Sequence, residues 1–329
     1  MKTLNYLLTG GAGYVGSELV KSLLNNGHSV KILDSFYFET NIAKKQNLEI
    51  VKKDVRNIEI SDFEDIDVVV DLASISNDPS GELNPYLTYK INGEARGNTA
   101  ATAKEAGVKG YILASSCSVY GFNKNVVDES SSTNPLTTYA YANLLAEKLV
   151  QSLSDSKFNV IVFRQATLFG PSQRMRTDLV VNGMVYSGMK FGKINILRNG
   201  EQKRPILSLS ELNNRFLSIN EDEFTKHSNQ VFNIGNNDLN LEINSIYEIV
   251  NKVLGGNLEK NWYGEPDHRS YMVNFDKAEE LLPGIEKTNI ENEIMNIKDK
   301  YNDENFDYEK SNTLNWYKSL IGSNPEVLS

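Results

Sequence analysis

The stretch Thr9–Ser17, reading TGGAGYVGS, holds the residues whose types and spacing speak most directly to chemistry. Gly10, Gly13 and Gly16 are spaced G-x-x-G-x-x-G, with Tyr14 and Val15 inside the turn. They follow the apolar run Leu4–Leu8 and open a helix-like run from Gly16 to Asn26. Glycines there allow a tight turn and a close backbone approach, and the helix N-terminus then faces a pyrophosphate. Asp34, followed by Ser35, ends the next apolar run, Val30–Leu33. A carboxylate at that point accepts both hydroxyls of an adenosine ribose and repels a ribose phosphate, so the predicted cofactor is NAD rather than NADP. Glycine spacing alone is weak; the strand before it and the helix after it make it specific. Farther on, Arg174 and Arg176 stand two residues apart just before a helix-like stretch, where two guanidinium forks can hold a substrate phosphate or carboxylate. A solvated loop is the competing reading of that pair.

These residues need a frame. Short apolar runs at Leu4–Leu8, Val30–Leu33, Leu48–Val51, Val68–Leu72, Tyr111–Ala114 and Val160–Phe163 alternate with helical stretches. Near-continuous apolar strands belong to a parallel sheet covered on both faces, with ligands beyond the strand C-termini. The predicted fold is a Rossmann-type, doubly wound α/β sheet with a smaller C-terminal domain. Asp54 and Val55 follow the third run, where a carboxylate can accept from an adenine amino group, and Leu72, Ala73 and Ser74 end the fourth beside the cofactor. Beyond Gly170 the rhythm breaks. Residues 1–170 are therefore expected to form the cofactor domain, and residues 171–329 mainly a substrate domain, with the chain free to cross back. From about Tyr301 the chain is polar and acid-rich, and a loosely packed helix or tail is expected.

Composition narrows the function. At 329 residues and 40% hydrophobic the chain can bury one large α/β core or two sharing a cleft. No apolar run approaches the ~20 residues of a membrane span, and the N-terminus enters a strand directly, so neither a membrane partner nor a signal peptide is expected. A net charge of −9 argues against a nucleic-acid partner. The single cysteine, Cys117, has no internal disulfide partner, no Cys/His cluster points to a metal, and a reducing cytoplasm is the expected compartment. His28 falls in a surface-like turn and His227 in a polar loop, so neither is assigned chemistry.

Two further strings extend the picture. Ser115-Ser116-Cys117-Ser118-Val119-Tyr120-Gly121 ends the fifth run, and Tyr139-Ala140-Tyr141-Ala142-Asn143 opens a helix that continues through Glu147. With them, from Thr9 to about Leu282, the chain resembles the extended short-chain dehydrogenase/reductase family, specifically its NAD-dependent nucleotide-sugar epimerases, dehydratases and dehydrogenases. The resemblance implies hydride transfer from a sugar carbon to NAD. Tyr139 is then the base that removes the hydroxyl proton, with Tyr141 a lesser candidate. Ser116 is the hydroxyl partner, Ser115 the next candidate and a cofactor contact, and Asn92 lies near the cofactor. In the family a lysine four residues after the tyrosine holds the nicotinamide ribose and lowers the phenol pKa. Position 143 is Asn instead. It lies about 40° around the helix from Tyr139 and one turn along, so its amide can bond ribose hydroxyls but supplies no charge. Slowed or alkaline-shifted oxidation is the expected consequence.

On the substrate side the resemblance implies contacts from Thr167, in the Ala166–Pro171 string after Arg164, from Asn182, and from Arg204 and Arg269, which would pair with a nucleotide diphosphate. The family's H-V-x-D after Arg204 reads Ser208-Leu209-Ser210-Glu211 here. Cys117 and Ser118 after Ser116 do not suit the proton transfers of dehydration. The expected function is oxidation of a nucleotide-diphosphate sugar at a ring hydroxyl, as an epimerase or 4-dehydrogenase in surface-polysaccharide or glycoconjugate precursor synthesis. Asn143 keeps a second reading open: a weakly active or non-catalytic protein that binds NAD and nucleotide sugar. The family's four-helix dimer, here Asn84–Ala106 and Tyr139–Ser154, implies a homodimer.

Overall fold

A computed structural model describes residues 3–265, 270–282, 285–304 and 306–323. All six apolar runs become strands of one parallel sheet, and a seventh strand, Gln230–Ile234, joins from the C-terminal half. The order across the sheet is Gln230–Ile234, Asn159–Gln165, Gly110–Ser116, Val68–Asp71, Asn5–Thr9, Ser29–Asp34, Leu48–Lys52. The winding reverses between Asn5–Thr9 and Val68–Asp71, which opens a crevice at the C-terminal ends of those strands. Period-2 alternation sorts the side chains. Leu7, Val69, Leu113 and Val162 enter one apolar cluster, and their neighbours Leu8, Val70, Ile112 and Ile161 enter another on the opposite face. The chain thus crosses back into the sheet after residue 170. Gln230–Ile234 escaped the sequence reading because Gln230 and Asn233 interrupt its apolar character at the sheet edge.

A smaller layer carries its own core, with Val181, Val185, Ile206, Ile246 and Ile294 fully buried. Its helices are Val180–Phe191, Ile243–Val253 and Ile290–Tyr301. A three-stranded ribbon orders Asn240–Glu242, Lys203–Ser208 and Thr167–Phe169. Tyr14, at the start of the first helix (Tyr14–Asn25), stitches the two layers: its hydroxyl donates to the Gly170 carbonyl at 2.7 Å.

The acid-rich tail departs from expectation. Thr313–Ser323 is a helix that packs back on the cofactor side. Tyr317 is buried against Phe38, ring centroids 5.3 Å apart, and Trp316 donates to the Tyr37 carbonyl at 2.7 Å. Aromatic anchors beyond the acidic run decide its placement, which composition hides. His28 and His227 are likewise buried, not on the surface; His28 Nδ1 accepts the Leu4 N–H. Among the described residues no helix is long and apolar enough to cross a membrane, and no group of three or more His, Cys, Asp or Glu is arranged to hold a metal ion.

Candidate active site

A cleft of about 970 Å³ lies at the strand C-termini, lined by both layers. At one end is the glycine turn. Gly10 has φ +68°, and a Cβ on it would sit 2.9 Å from the Ala73 backbone. A Cβ on Gly16 would sit 2.5 Å from the Gly10 carbonyl oxygen. Neither position tolerates a side chain, so the turn presents bare backbone at the head of a 12-residue helix. Asp34 ends its strand beside the turn and accepts the Ala12 N–H at 3.0 Å and the Phe36 N–H at 2.7 Å. Those bonds aim the carboxylate and leave lone pairs for two hydroxyls. Burial raises its pKa, against the pull of the two N–H groups and Arg174. Asp54 also lines the cleft, held by Arg56 through Nη2 at 2.8 Å. Burial opposes its ionisation, but the Arg56 hydrogen bonds and charge prevail and lower its pKa. A bare turn at a helix N-terminus with a carboxylate ending the next strand fits NAD.

The other end is set by the helix Thr138–Gln151. Thr137 caps it, accepting the Ala140 N–H at 3.2 Å and donating to Asp78 Oδ1 at 2.6 Å. This fixes Tyr139 in the first turn, facing the cleft. Ser116 ends the fifth strand in sequence, Gly110–Ser116, and its Oγ accepts the Ser118 N–H at 3.1 Å. Ser116 stands beside the Tyr139 phenol and favours its ionised form. Desolvation first, then the Asp78 charge, raises the Tyr139 pKa; Arg176, Arg96 and the Ser116 hydrogen bond pull the other way. Ser115 is occupied elsewhere: it donates to Glu147 Oε1 at 2.5 Å. Glu147 in turn is paired with buried Arg164 at 2.7 Å. Cys117 is buried, donates to the Arg164 carbonyl at 3.2 Å, and has its thiol pKa pushed up by burial. It is a packed residue.

The structure brings to the cleft wall Gly10, Gly13, Tyr14, Val15, Gly16, Asp34, Ser35, Asp54, Val55, Leu72, Ala73, Ser74, Ser115, Ser116, Tyr139, Thr167, Arg174, Arg176 and Arg204. Three predicted asparagines stand behind the wall instead. Asn92 holds the Ile75 N–H and carbonyl at 2.8 and 3.0 Å. Asn182 accepts the Gly170 N–H at 3.1 Å and donates to the Tyr14 hydroxyl at 3.2 Å. Asn143 accepts from Arg96 Nη1 at 3.1 Å and donates to the Tyr139 carbonyl at 2.9 Å. A short amide that completes two bonds within the protein scaffolds a turn or helix; spacing alone does not reveal which way it points. Arg269 lies outside the described residues.

Sequence reasoning missed several groups. Asp78 faces Tyr139, and Tyr317 of the tail helix lines the cofactor end. Arg96 is a fully buried cation in a stretch otherwise rich in Ala, Gly and Thr, and that contrast was its only signal. Arg174 stacks 3.6 Å from the Phe38 ring centroid, donates to Thr313 Oγ1 at 3.0 Å, and keeps a buried Nε with no partner. Burial first, then the charge of Arg176, weighs against its protonated form. A nearby anion relieves both costs.

This geometry agrees with the comparisons. Residues 6–235 match the model of the NAD dependent epimerase/dehydratase family, and the chain belongs to it. NAD is the cofactor of that family. The chain is 26% identical over 224 residues to the uncharacterized UDP-glucose epimerase YtcB of Bacillus subtilis, covering 63% of this chain and 70% of that protein. It is 24% identical over 286 residues to a putative UDP-glucose 4-epimerase of Methanocaldococcus jannaschii, covering 84% and 91%. Against the UDP-glucuronic acid decarboxylase 1 of Xenopus tropicalis it is 29% identical over 226 residues, covering 65% of this chain, and spans about half of that relative, 52%. The UDP-glucuronic acid 4-epimerase of Bacillus cereus, solved with UDP-glucuronic acid and NAD, has the same fold: TM-score 0.81 at 22% identity, over 91% of this chain and 99% of that one.

Proposed function

We propose that this protein is an NAD-dependent nucleotide-diphosphate-sugar epimerase that oxidises a ring hydroxyl of its substrate, in the synthesis of surface-polysaccharide or glycoconjugate precursors. The observation that carries the reading is that Ser116, its Oγ held by the Ser118 N–H, and Tyr139 line one cleft together with the glycine turn. Tyr139, once ionised to the phenolate, takes the sugar hydroxyl proton at its oxygen, and Ser116 hydrogen-bonds the same sugar oxygen. NAD, when bound, supplies the hydride acceptor. Arg176 and Arg204, with Arg269 by resemblance, hold the diphosphate. Arg174, whose charge couples to Asp34, serves the adenosine end. Asn143 acts from behind Tyr139 and not on the ribose. A ketone retained in the cleft returns as the epimer; one that escapes makes the enzyme a net dehydrogenase. Dehydration needs a proton carrier beside Ser116, and buried Cys117 is unsuited to that work. The names of the UDP-sugar epimerases it resembles favour the same reading. A homodimer through the helices around 85–105 and 138–151 belongs to the proposal, supported by Tyr86, Tyr141 and Leu149 exposed on them.

The test is incubation with NAD and a panel of nucleotide sugars, read by chromatography and mass spectrometry. A new isomer of unchanged mass, absent with Tyr139→Phe, is expected. Loss of two hydrogens replaces epimerase with dehydrogenase. NAD binding with no conversion of any sugar overturns the enzyme reading and leaves a binding protein.

A further inference from the structure

A phenol in a desolvated cleft becomes a useful base only where a cation offsets its lost proton. The groups whose charge bears on Tyr139 come from separate elements. Asp78, on the turn after Val68–Asp71, has the wrong sign. Tyr271, just before the short strand Met272–Val273, couples to it as another phenol. Arg176 bears on Tyr139 more strongly than Arg96 does, but it is tied to Asp178 at 2.5 Å and lines the cleft, so its field changes when an anionic substrate enters. Arg96 differs from all of these. It opens the α-helix Arg96–Glu105, directly after the π-helical turn Lys90–Ala95, and is 1% exposed.

Four hydrogen bonds hold its guanidinium. Nε donates to Asp71 Oδ2 at 3.1 Å, and Nη2 donates to the carbonyls of Asp71 and Ala114 at 2.8 and 2.7 Å. Nη1 donates to Asn143 Oδ1, and the Asn143 amide donates to the carbonyl of Tyr139 itself. One side chain therefore joins the cation to the residue that carries the base. Asp71 is the counter-ion, and its charge is shared with Thr9 Oγ1 and the Tyr111 hydroxyl, each 2.7 Å away. A lysine at 143 would offer Arg96 no acceptor and would set an ammonium against a guanidinium, so the asparagine is what this buried arginine requires.

We propose that Arg96 is the fixed cation governing the proton on Tyr139, held in place by Asn143 and tempered by Asp71, in the sugar oxidation proposed above and resting on that reading. Arg96 is a positioning residue, touching neither the cleft nor the substrate. A guanidinium stays charged throughout the working pH range, and this one lies out of reach of incoming phosphates. Its field on Tyr139 is constant through the catalytic cycle.

The experiment is a pH titration of the NAD-bound protein labelled with carbon-13 at the tyrosine ring carbon bearing the hydroxyl, with the Tyr139 signal assigned by its loss in Tyr139→Phe. Arg96→Gln keeps a donor for Asn143 and removes the charge; the Tyr139 pKa rises by about one unit. Adding Asn143→Lys to that variant brings the pKa back down, a rescue that lost packing would not give. Asp71→Asn moves it the opposite way, downward. A folded Arg96→Gln protein with Tyr139 unmoved overturns the proposal. Should Arg96→Gln fail to fold, Asp71→Asn decides, and an unmoved or raised pKa there overturns it. The readout needs no turnover. Sugar conversion without the shift defeats Arg96 alone, whereas the shift without conversion defeats the sugar reading.

Discussion

The two ends of the cleft are built by different physics. The glycine end is built on one strand–turn–helix–strand unit whose working parts are backbone N–H groups and the Asp34 carboxylate, with Asp54, Arg174 and Tyr317 added from outside it. The tyrosine end is assembled from distant elements around two buried ion pairs, Arg96–Asp71 and Arg164–Glu147. A site made of main chain depends on shape, because a helix N-terminus keeps its partial charge whatever side chains surround it. A site made of side chains depends on each charge having its partner. The two ends should therefore fail separately, and in different ways.

The largest expected separation is at Tyr139. Tyr139→Phe keeps the ring and removes the proton carrier, so kcat falls by about 10²–10⁴-fold while the NAD dissociation constant stays near the wild-type value. A parallel loss of NAD affinity, measured by calorimetry, breaks the division. Next is Glu147→Ala. It strands Arg164 without its counter-ion and takes the acceptor from Ser115. Breaking one half of a buried pair costs about 3–5 kcal/mol, to be read from urea unfolding. A loss under about 1 kcal/mol, typical of surface pairs, would mean that the tyrosine end does not rest on buried charge. Gly16→Ala acts on the other end. Its Cβ collides with the Gly10 carbonyl, and strain of about 1–3 kcal/mol at the turn weakens NAD binding roughly tenfold to a hundredfold. The pH dependence of turnover at saturating NAD should not move.

The same division explains what the sequence made legible. Gly10, Gly16 and Asp34 announce themselves because their geometry is local: strand, turn and helix follow one another with no intervening element. The six apolar runs were readable for the same reason, and Ser116 and Tyr139 through the strings around them. Arg96 was not. It directly follows a π-helical turn, and its partners lie 25 and 47 residues away in sequence. Nothing short of the packed fold shows that Asn143 bonds Arg96. The packing of the tail helix was misjudged because the acidic residues that precede it, Asp303 to Glu309, outnumber the two aromatic side chains, Trp316 and Tyr317, that dock it.

The smallest predicted effect concerns pH at the glycine end. Burial raises the Asp34 pKa, so the carboxylate takes up its proton at a higher pH than an ordinary one. Protonated, it loses charge and acceptor capacity toward the ribose hydroxyls. NAD affinity is then full above the raised pKa and declines as pH falls through it. Asp34→Asn keeps one acceptor oxygen without the charge; a hydrogen bond to a charged group exceeds a neutral one by about 1 kcal/mol, which predicts roughly fivefold weaker binding. More telling, the acid decline should flatten in that variant. Turnover should still climb with pH, because a raised Tyr139 pKa leaves the phenol protonated until alkaline conditions. Acid sensitivity in NAD binding and alkaline activation in turnover thus belong to opposite ends of the cleft. An acid limb that persists unchanged in Asp34→Asn assigns it to another group and dissolves the comparison.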